Sequence, residues 1–241
     1  MNNLELSVVV PVYNERISLI NNVKRVLKDN DEYVFEIIMI VSQAAPLETL
    51  NACQELCDFD SRVKYYMQKS PPGLGYALRD GFRLVKGTHV QILFADCESD
   101  PAAVQFFIKK ALATHADMIV ASRWSVGSTL KGYSPLHLFL NRSYNFVFKR
   151  LFFTHLNDLT FGHNLLKANL VRSINWEGKG HELATEMILK PLKLGYQVEE
   201  IPVSWIRRSE GKSSLKFSNY LRYPFFALYV FLSPVKTSSD I

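Results

Sequence analysis

"LSVVVPV", residues 6–12, is seven residues long with a single hydroxyl and no charge. A stretch this continuously apolar and β-branched predicts a strand buried on both faces, as in a parallel sheet covered by helices. Reading outward, helix spacing over 17–27 is followed by a second apolar strand, "EIIMIV" (36–41). The spacing then predicts a helix over 47–56, with Pro46 and Glu48 suited to its first turn. Next come "RVKYYM" (62–67) as strand, 75–84 as helix, "HVQILFA" (89–95) as strand, 102–113 as helix and "DMIVAS" (117–122) as strand. Strands alternating with helices predict an α/β fold, a mostly parallel central sheet with helices on both faces.

The second half changes character. Residues 136–153 read as a long helix rich in Leu and Phe, and "DLTFGHNLLK" (158–167) as a turn leading into another element. A helix over 182–194 and a partly alternating strand, "QVEEIPVSWI" (197–206), follow. A basic loop, "RRSEGKSSLK" (207–216), leads to an aromatic tail, "YLRYPFFALYVFLSPV" (220–235). With no internal repeat or low-complexity tract, the simplest division is one domain over 1–206 and a C-terminal extension over 207–241.

Of 241 residues, 48% are hydrophobic and 21% charged, so the chain supports a packed core and disorder is excluded. The net charge of +5 suits an anionic partner, nucleotide or phospholipid surface, and is too mild to indicate nucleic acid. The odd cysteine set, Cys53, Cys57 and Cys97, indicates a reducing compartment. Cys53 and Cys57 have helical spacing but lack a second ligand pair, so ordinary buried cysteine is expected rather than zinc. The opening residues carry no secretory signal pattern.

Ligands of open parallel sheets sit beyond the carboxyl ends of the strands. The predicted strand ends hold Tyr13, Asn14 and Glu15, then Ser42 and Gln43, then Asp96 to Asp100, then Arg123. These residues nominate a site. Each also has a plainer reading: Asn14 as a helix cap, and Ser99 or Asp100 capping the helix near Pro101 with Asp96 and Glu98 beside its dipole.

"SVVVPVYNE" (7–15) resembles the opening of family-2 glycosyltransferases with the GT-A, Rossmann-like fold. "GLGYALRDGF" (73–82), "ASRW" (121–124), "DLTFGHNLLK", "ELATEMILKPLKLGYQVEEIPVSW" (182–205) and "RRSEGKSSL" (207–215) resemble, in order, the dolichol-phosphate mannosyltransferase-like, polyprenol-phosphate branch. The resemblance implies transfer of a sugar from a nucleotide-sugar donor to a polyprenyl phosphate at a membrane surface. It places Pro11, Tyr13, Glu15, Ser42, Gly73, Arg79 and Asp96 beside the nucleotide. It implies a divalent cation, Mg²⁺ or Mn²⁺, held by Asp96 and Glu98, with Asp96, Arg123 and Arg207 as the catalytic set. Because a phosphate acceptor is already anionic, cations rather than a base are needed, and Arg123, Arg142, Arg207, Arg208 and Lys212 are the candidates, with Ser213 a further acceptor-phosphate residue.

Two departures stand out. The family's Asp-x-Asp begins here with Phe94, so Asp96 takes the second acidic position and Glu98 the next polar one. After the second strand, the family's aspartate pair is replaced by Ser42 and Gln43, which leaves the base unspecified. Alternatives are a family-2 transferase using a saccharide acceptor, with Glu182 or Glu186 as base, and a catalytically dead binding subunit. The tail at 220–235 reads as an amphipathic, interfacial element or as a core-packing or homo-oligomer contact, too short to span a bilayer. The expectation is a peripheral protein on the cytoplasmic face of a membrane.

Overall fold

The computed structural model describes residues 4–207 and 217–237. The first strand, β1 (Leu6–Val12), follows the bounds read from the sequence. Then come α1 (Ile17–Asp29), β2 (Val34–Val41), α2 (Leu47–Phe59), β3 (Val63–Met67), α3 (Leu74–Phe82) and β4 (His89–Ile92). A 3₁₀ turn (Pro101–Ala103) opens α4 (Val104–Thr114), which leads to β5 (Met118–Ser122), the short β6 (Leu130–Lys131) and α5 (Pro135–Leu151). The chain continues through β7 (Asn164–Lys167), α6 (Ala168–Ser173), α7 (Glu182–Lys193), β8 (Val198–Pro202), β9 (Trp205–Ile206) and α8 (Phe217–Leu232).

Seven strands form one sheet in the order β3-β2-β1-β4-β7-β5-β8, and β6 pairs with β9 in a small second sheet. In the large sheet β7 alone runs against its neighbours β4 and β5. An antiparallel strand begins where parallel ones end. The turn before β7, residues 158–163, is thereby delivered to the edge where ligands of such sheets bind.

Successive side chains of a strand point to opposite faces, which explains how β1 can be apolar throughout. Val8, Val10 and Val12 enter a core closed by α1, α2 and α4 through Leu19, Leu56 and Phe107. Val9 points into the opposite core, closed by α3, α5, α6, α7 and α8 through Leu78, Phe148, Leu170, Met187 and Val230. The fold is therefore the mostly parallel α/β sandwich expected, with both faces covered.

Two local expectations are corrected. The strand read over 89–95 stops at Ile92, because past the Leu93 N–H bond to Val9 O the Phe94 carbonyl turns away to accept from Asn22 Nδ2 at 2.9 Å. The strand read over 197–206 is two strands in different sheets; β8 ends at Pro202, which lacks a donor, and β9 pairs with β6. The aromatic tail is helical, and α8 buries Ala227 and Val230 in the second core while exposing Phe225, Leu228, Tyr229 and Leu232. The core-packing reading of that tail thus holds for its buried face. Lys193 Nζ, from α7, donates to the carbonyls of Val230, Phe231 and Ser233 and satisfies the C-terminal turn of α8. Cys53 is buried among α2's core contacts, and burial pushes its thiol up to about 12, as expected of an inert cysteine.

Candidate active site

The carboxyl edge of the sheet gathers the loops after β1, β2, β3 and β4. The loop after β1 is shaped by Glu15, whose carboxylate accepts the backbone N–H groups of Tyr13 (2.8 Å) and Asn14 (3.1 Å). The Asn14 cap read from the sequence does not form; Arg16 holds the N-cap position of α1, without a side-chain cap bond. Tyr13 is left exposed at the rim and Pro11 half-buried. Ser42, buried at the end of β2, accepts from Ala44 N. Gln43 Nε2 reaches the Gln68 carbonyl at 2.8 Å, and Gln68 Nε2 reaches Pro71 O at 2.6 Å, so the second and third loops are tied together.

The resemblance places Gly73 beside the nucleotide, where a glycine permits close approach. In the structure the approach is to protein: a Cβ at Gly73, whose φ is +149°, would lie 2.5 Å from Lys179 O, and one at Gly75 would lie 2.5 Å from Gly178 O. The 177–180 loop pressed against them is held from below by two glutamates. Glu186 accepts from Glu177 N and Gly178 N and pairs with Lys190 at 2.5 Å, and Glu182 accepts from Lys179 N and Gly180 N. Arg79 lies on α3 with its guanidinium 5.7 Å from the Tyr76 ring.

The acidic turn follows β4. Cys97 sits at φ +57°, a left-handed residue that folds Glu98 back over Asp96, and Glu98 N donates to Asp96 Oδ1 at 3.1 Å. Glu98 Oε2 accepts from the Trp205 indole at 3.0 Å. Asp100 caps the 3₁₀ turn by accepting from Ala102 N, so the capping reading holds for Asp100. Ser99 instead pairs with His163 Nδ1 at 2.7 Å, and burial lowers the His163 pKa to about 4. Phe94 lies partly buried against the second core, its ring filling the space beside Gly162. Among the described residues no group of three or more His, Cys, Asp or Glu forms a metal cage. Asp96 and Glu98 place two carboxylates on one turn. That set fits a cation completing its shell with diphosphate oxygens and water, as Mg²⁺ commonly does.

Arg123 is the main departure from expectation. Its Nε and Nη2 meet the two oxygens of Asp158 at 2.7 and 3.0 Å, Nη2 also reaches Thr160 Oγ1, and the guanidinium lies 4.6 Å from the Phe161 ring. Its side chain is 8% exposed and that of Asp158 0%. Burial works against the Arg123 charge, but Asp158 outweighs it and holds the pKa above its ordinary value. A guanidinium so paired braces the turn before β7, with Nη1 making only a 3.4 Å contact to Tyr133 OH.

Arg142, on α5, is exposed with its guanidinium 5.0 Å from the Trp124 ring. Trp124 meets Tyr133 edge-on, and Tyr133 meets Trp205 edge-on at 4.9 Å. Arg207 is exposed, its N–H bonded to Lys131 O. The phosphate candidates Arg208, Lys212 and Ser213 lie outside the described residues. Sequence reasoning missed Asp158, Tyr133 and Trp205 as site-shaping residues. Asp158 and Trp205 stand inside quoted motifs, but nothing in the sequence reveals their partners 35 and 107 residues away.

The sequence pattern of the family described as "Glycosyl transferase family 2" matches residues 7–174. The chain is 26% identical over 219 residues to a polyprenol monophosphomannose synthase of Mycolicibacterium smegmatis, covering 88% of this chain and 81% of that one. It is 22% identical to glycosyltransferase AglD of Haloferax volcanii over 88% of this chain, and spans 35% of that longer protein. Among solved structures, the glucosyl-3-phosphoglycerate synthase of Mycobacterium tuberculosis, in complex with Mn²⁺, UDP and phosphoglyceric acid, superposes with a TM-score of 0.72. That likeness, at 15% identity over 95% of this chain and 79% of the other, is one of GT-A fold. The family pattern spans the strands whose ends build the carboxyl-edge site, and the chain belongs to glycosyl transferase family 2, a family of nucleotide-sugar-dependent enzymes.

Proposed function

We propose that this protein transfers a sugar from a nucleotide-sugar to a polyprenyl phosphate at a membrane surface, with a divalent cation beside Asp96 and Glu98. The observation that carries the reading is the fate of the two carboxylates nearest to a base position. A sugar hydroxyl acceptor needs a general base, whereas a phosphate acceptor is already ionised. Glu182 and Glu186 are both consumed in holding the 177–180 loop, and Glu186 is fully buried beside Lys190. The match to a polyprenol monophosphomannose synthase supports the same acceptor class.

The surroundings support a lipid-bearing acceptor. Next to the Trp124–Arg142 pair, α5 exposes Leu136, Phe139, Phe146 and Val147, and α8, which touches α5 through Tyr144 and Tyr223, exposes Phe225 and Leu232. Exposed apolar side chains interleaved with Arg142, Arg150 and Arg222 suit the headgroup region of an anionic bilayer. No described helix is long and apolar enough to cross a membrane.

On this reading Tyr13, Glu15 and Ser42 frame the nucleoside between the tied loops after β1 and β2. When bound, the cation neutralises charge building on the departing nucleoside diphosphate. Asp96 and Glu98 would hold that cation through their carboxylates. Arg142 and Arg207 hold the acceptor phosphate for attack on the anomeric carbon, and no proton need be removed.

The test is incubation with labelled nucleotide-sugars and a polyprenyl-phosphate lipid extract. Label should pass into the organic phase with the wild-type protein and not with Asp96→Ala. Label accumulating only in water-soluble products, or full activity in Asp96→Ala, would overturn the reading.

A further inference from the structure

We propose that Trp205 is a positioning residue: its indole N–H fixes the Glu98 carboxylate for the cation and joins the donor turn to the acceptor-side segment that follows β9. The inference rests on the reading of Asp96 and Glu98 as the cation-facing pair.

Four contacts converge on one dipeptide. Trp205 Nε1 donates to Glu98 Oε2 at 3.0 Å, and Ile206 N donates to Glu98 O at 2.9 Å. Trp205 forms an antiparallel bridge with Ser99, and its own N–H reaches Thr129 O at 2.9 Å. Glu98 is thereby gripped at both side chain and backbone by β9. The grip continues outward, since Arg207 N bonds Lys131 O and the Trp205 ring meets Tyr133, which meets the Trp124 ring beneath Arg142. The acidic turn and the basic acceptor side are therefore parts of one braced unit, with the indole at its centre.

The physical consequence follows from what a metal-facing carboxylate needs. A glutamate on a turn has three freely rotating bonds, and an N–H donor on one oxygen selects the rotamer that aims the other. Donors that hold ligating carboxylates contribute roughly 10- to 100-fold in metal affinity. Phe94 brings no oxygen to this turn, so the orientation of Glu98 matters the more for a cation beside Asp96. Trp205→Phe keeps an aromatic ring beside Tyr133 and removes the donor, together with part of the indole's packing on the first core.

The experiment is calorimetric binding of UDP and of GDP, each with Mn²⁺ and with EDTA, to wild type, Trp205→Phe, Glu98→Gln and the double variant. The wild-type protein is also labelled with ¹⁵N, and its three tryptophan indole resonances are followed on adding Mg²⁺ and nucleotide. Trp205→Phe is expected to weaken Mn²⁺-dependent binding about tenfold. Its affinity in EDTA should stay at the wild-type value, the Trp205→Phe and Glu98→Gln effects should not add, and the Trp205 indole resonance should shift with Mg²⁺. Wild-type affinity in Trp205→Phe, or an equal loss with and without metal, overturns the role of Trp205. Metal-dependent binding untouched by Glu98→Gln overturns the site reading beneath it.

Discussion

Asp158→Asn isolates what the structure assigns to Arg123. The substitution preserves shape but replaces one acceptor oxygen by an NH₂ group pointing at a guanidinium that stays charged. Lost is one of the two paired contacts from Arg123 Nε and Nη2, at 2.7 and 3.0 Å, and part of the support for Thr160 N and Arg123 N, which also donate to this carboxylate. With Arg123 only 8% exposed, water does little to compensate. Removing one member of a buried pair costs about 3–5 kcal/mol. The low end, about 3 kcal/mol, is expected here, because Thr160 Oγ1, Tyr133 OH and the Phe161 ring still surround the cation. That is a large share of a typical folding free energy of about 5–15 kcal/mol, and corresponds to a fall in Tm of about 6–12 °C for a chain of this length. Urea denaturation of wild type, Asp158→Asn, Arg123→Met and the double variant measures it. The double variant should lose clearly less than the sum of the two singles, because neither charge is then left unpaired. A loss under about 0.5 kcal/mol in Asp158→Asn, or additive losses, would refute the brace and return Arg123 to the acceptor phosphate.

Gly75→Ala gives opposite signs for two effects: helix propensity alone predicts a gain of about 1 kcal/mol, while a methyl 2.5 Å from Gly178 O predicts a loss of about 1–3 kcal/mol. Thermal melting decides, and a gain refutes the close packing of α3 on the 177–180 loop. His163 has its pKa lowered from 6.5 to about 4 by burial, so the unfolded chain takes the proton first. Its stabilising contribution is complete above pH 6.5 and falls as pH drops toward 4, by about 2 kcal/mol at pH 5. His163→Gln should shrink the difference in unfolding free energy between pH 7 and pH 5 by about that amount, and an unchanged difference would sink the assignment. Phe139→Ser with Phe146→Ser removes two exposed rings from α5, and should cut adsorption to anionic vesicles at least about tenfold with Tm unchanged. Retained adsorption would place the lipid-facing surface elsewhere.

The local code of this chain is legible because its strands are short, apolar and separated by helices of regular spacing. β1 has the bounds the sequence suggested, and α1, α2 and α5 differ only at their ends. Patterning also located the acidic turn and the loops after β1 and β2 at one edge, since every parallel strand ends on the same side. What patterning does not encode is which strand lies beside which. β7, four residues long, inserts between β4 and β5 in reverse, and from that single reversal the turn at 158–163 reaches the site edge.

The sequence by itself determined the residue types at the site: an aspartate, a glutamate two residues on, several arginines, and two glutamates able to serve as base. Only the tertiary structure decided their duties. Arg123 looked like a phosphate ligand until Asp158 arrived beside it, Glu182 and Glu186 looked like bases until the 177–180 backbone claimed them, and Glu98 gained its indole partner from 107 residues away. Charge and hydrogen-bonding capacity are properties of a residue and can be read in one dimension. Whether that capacity remains available to a substrate depends on which partners the fold brings within about 3 Å, and such contacts are set by strand order and loop packing.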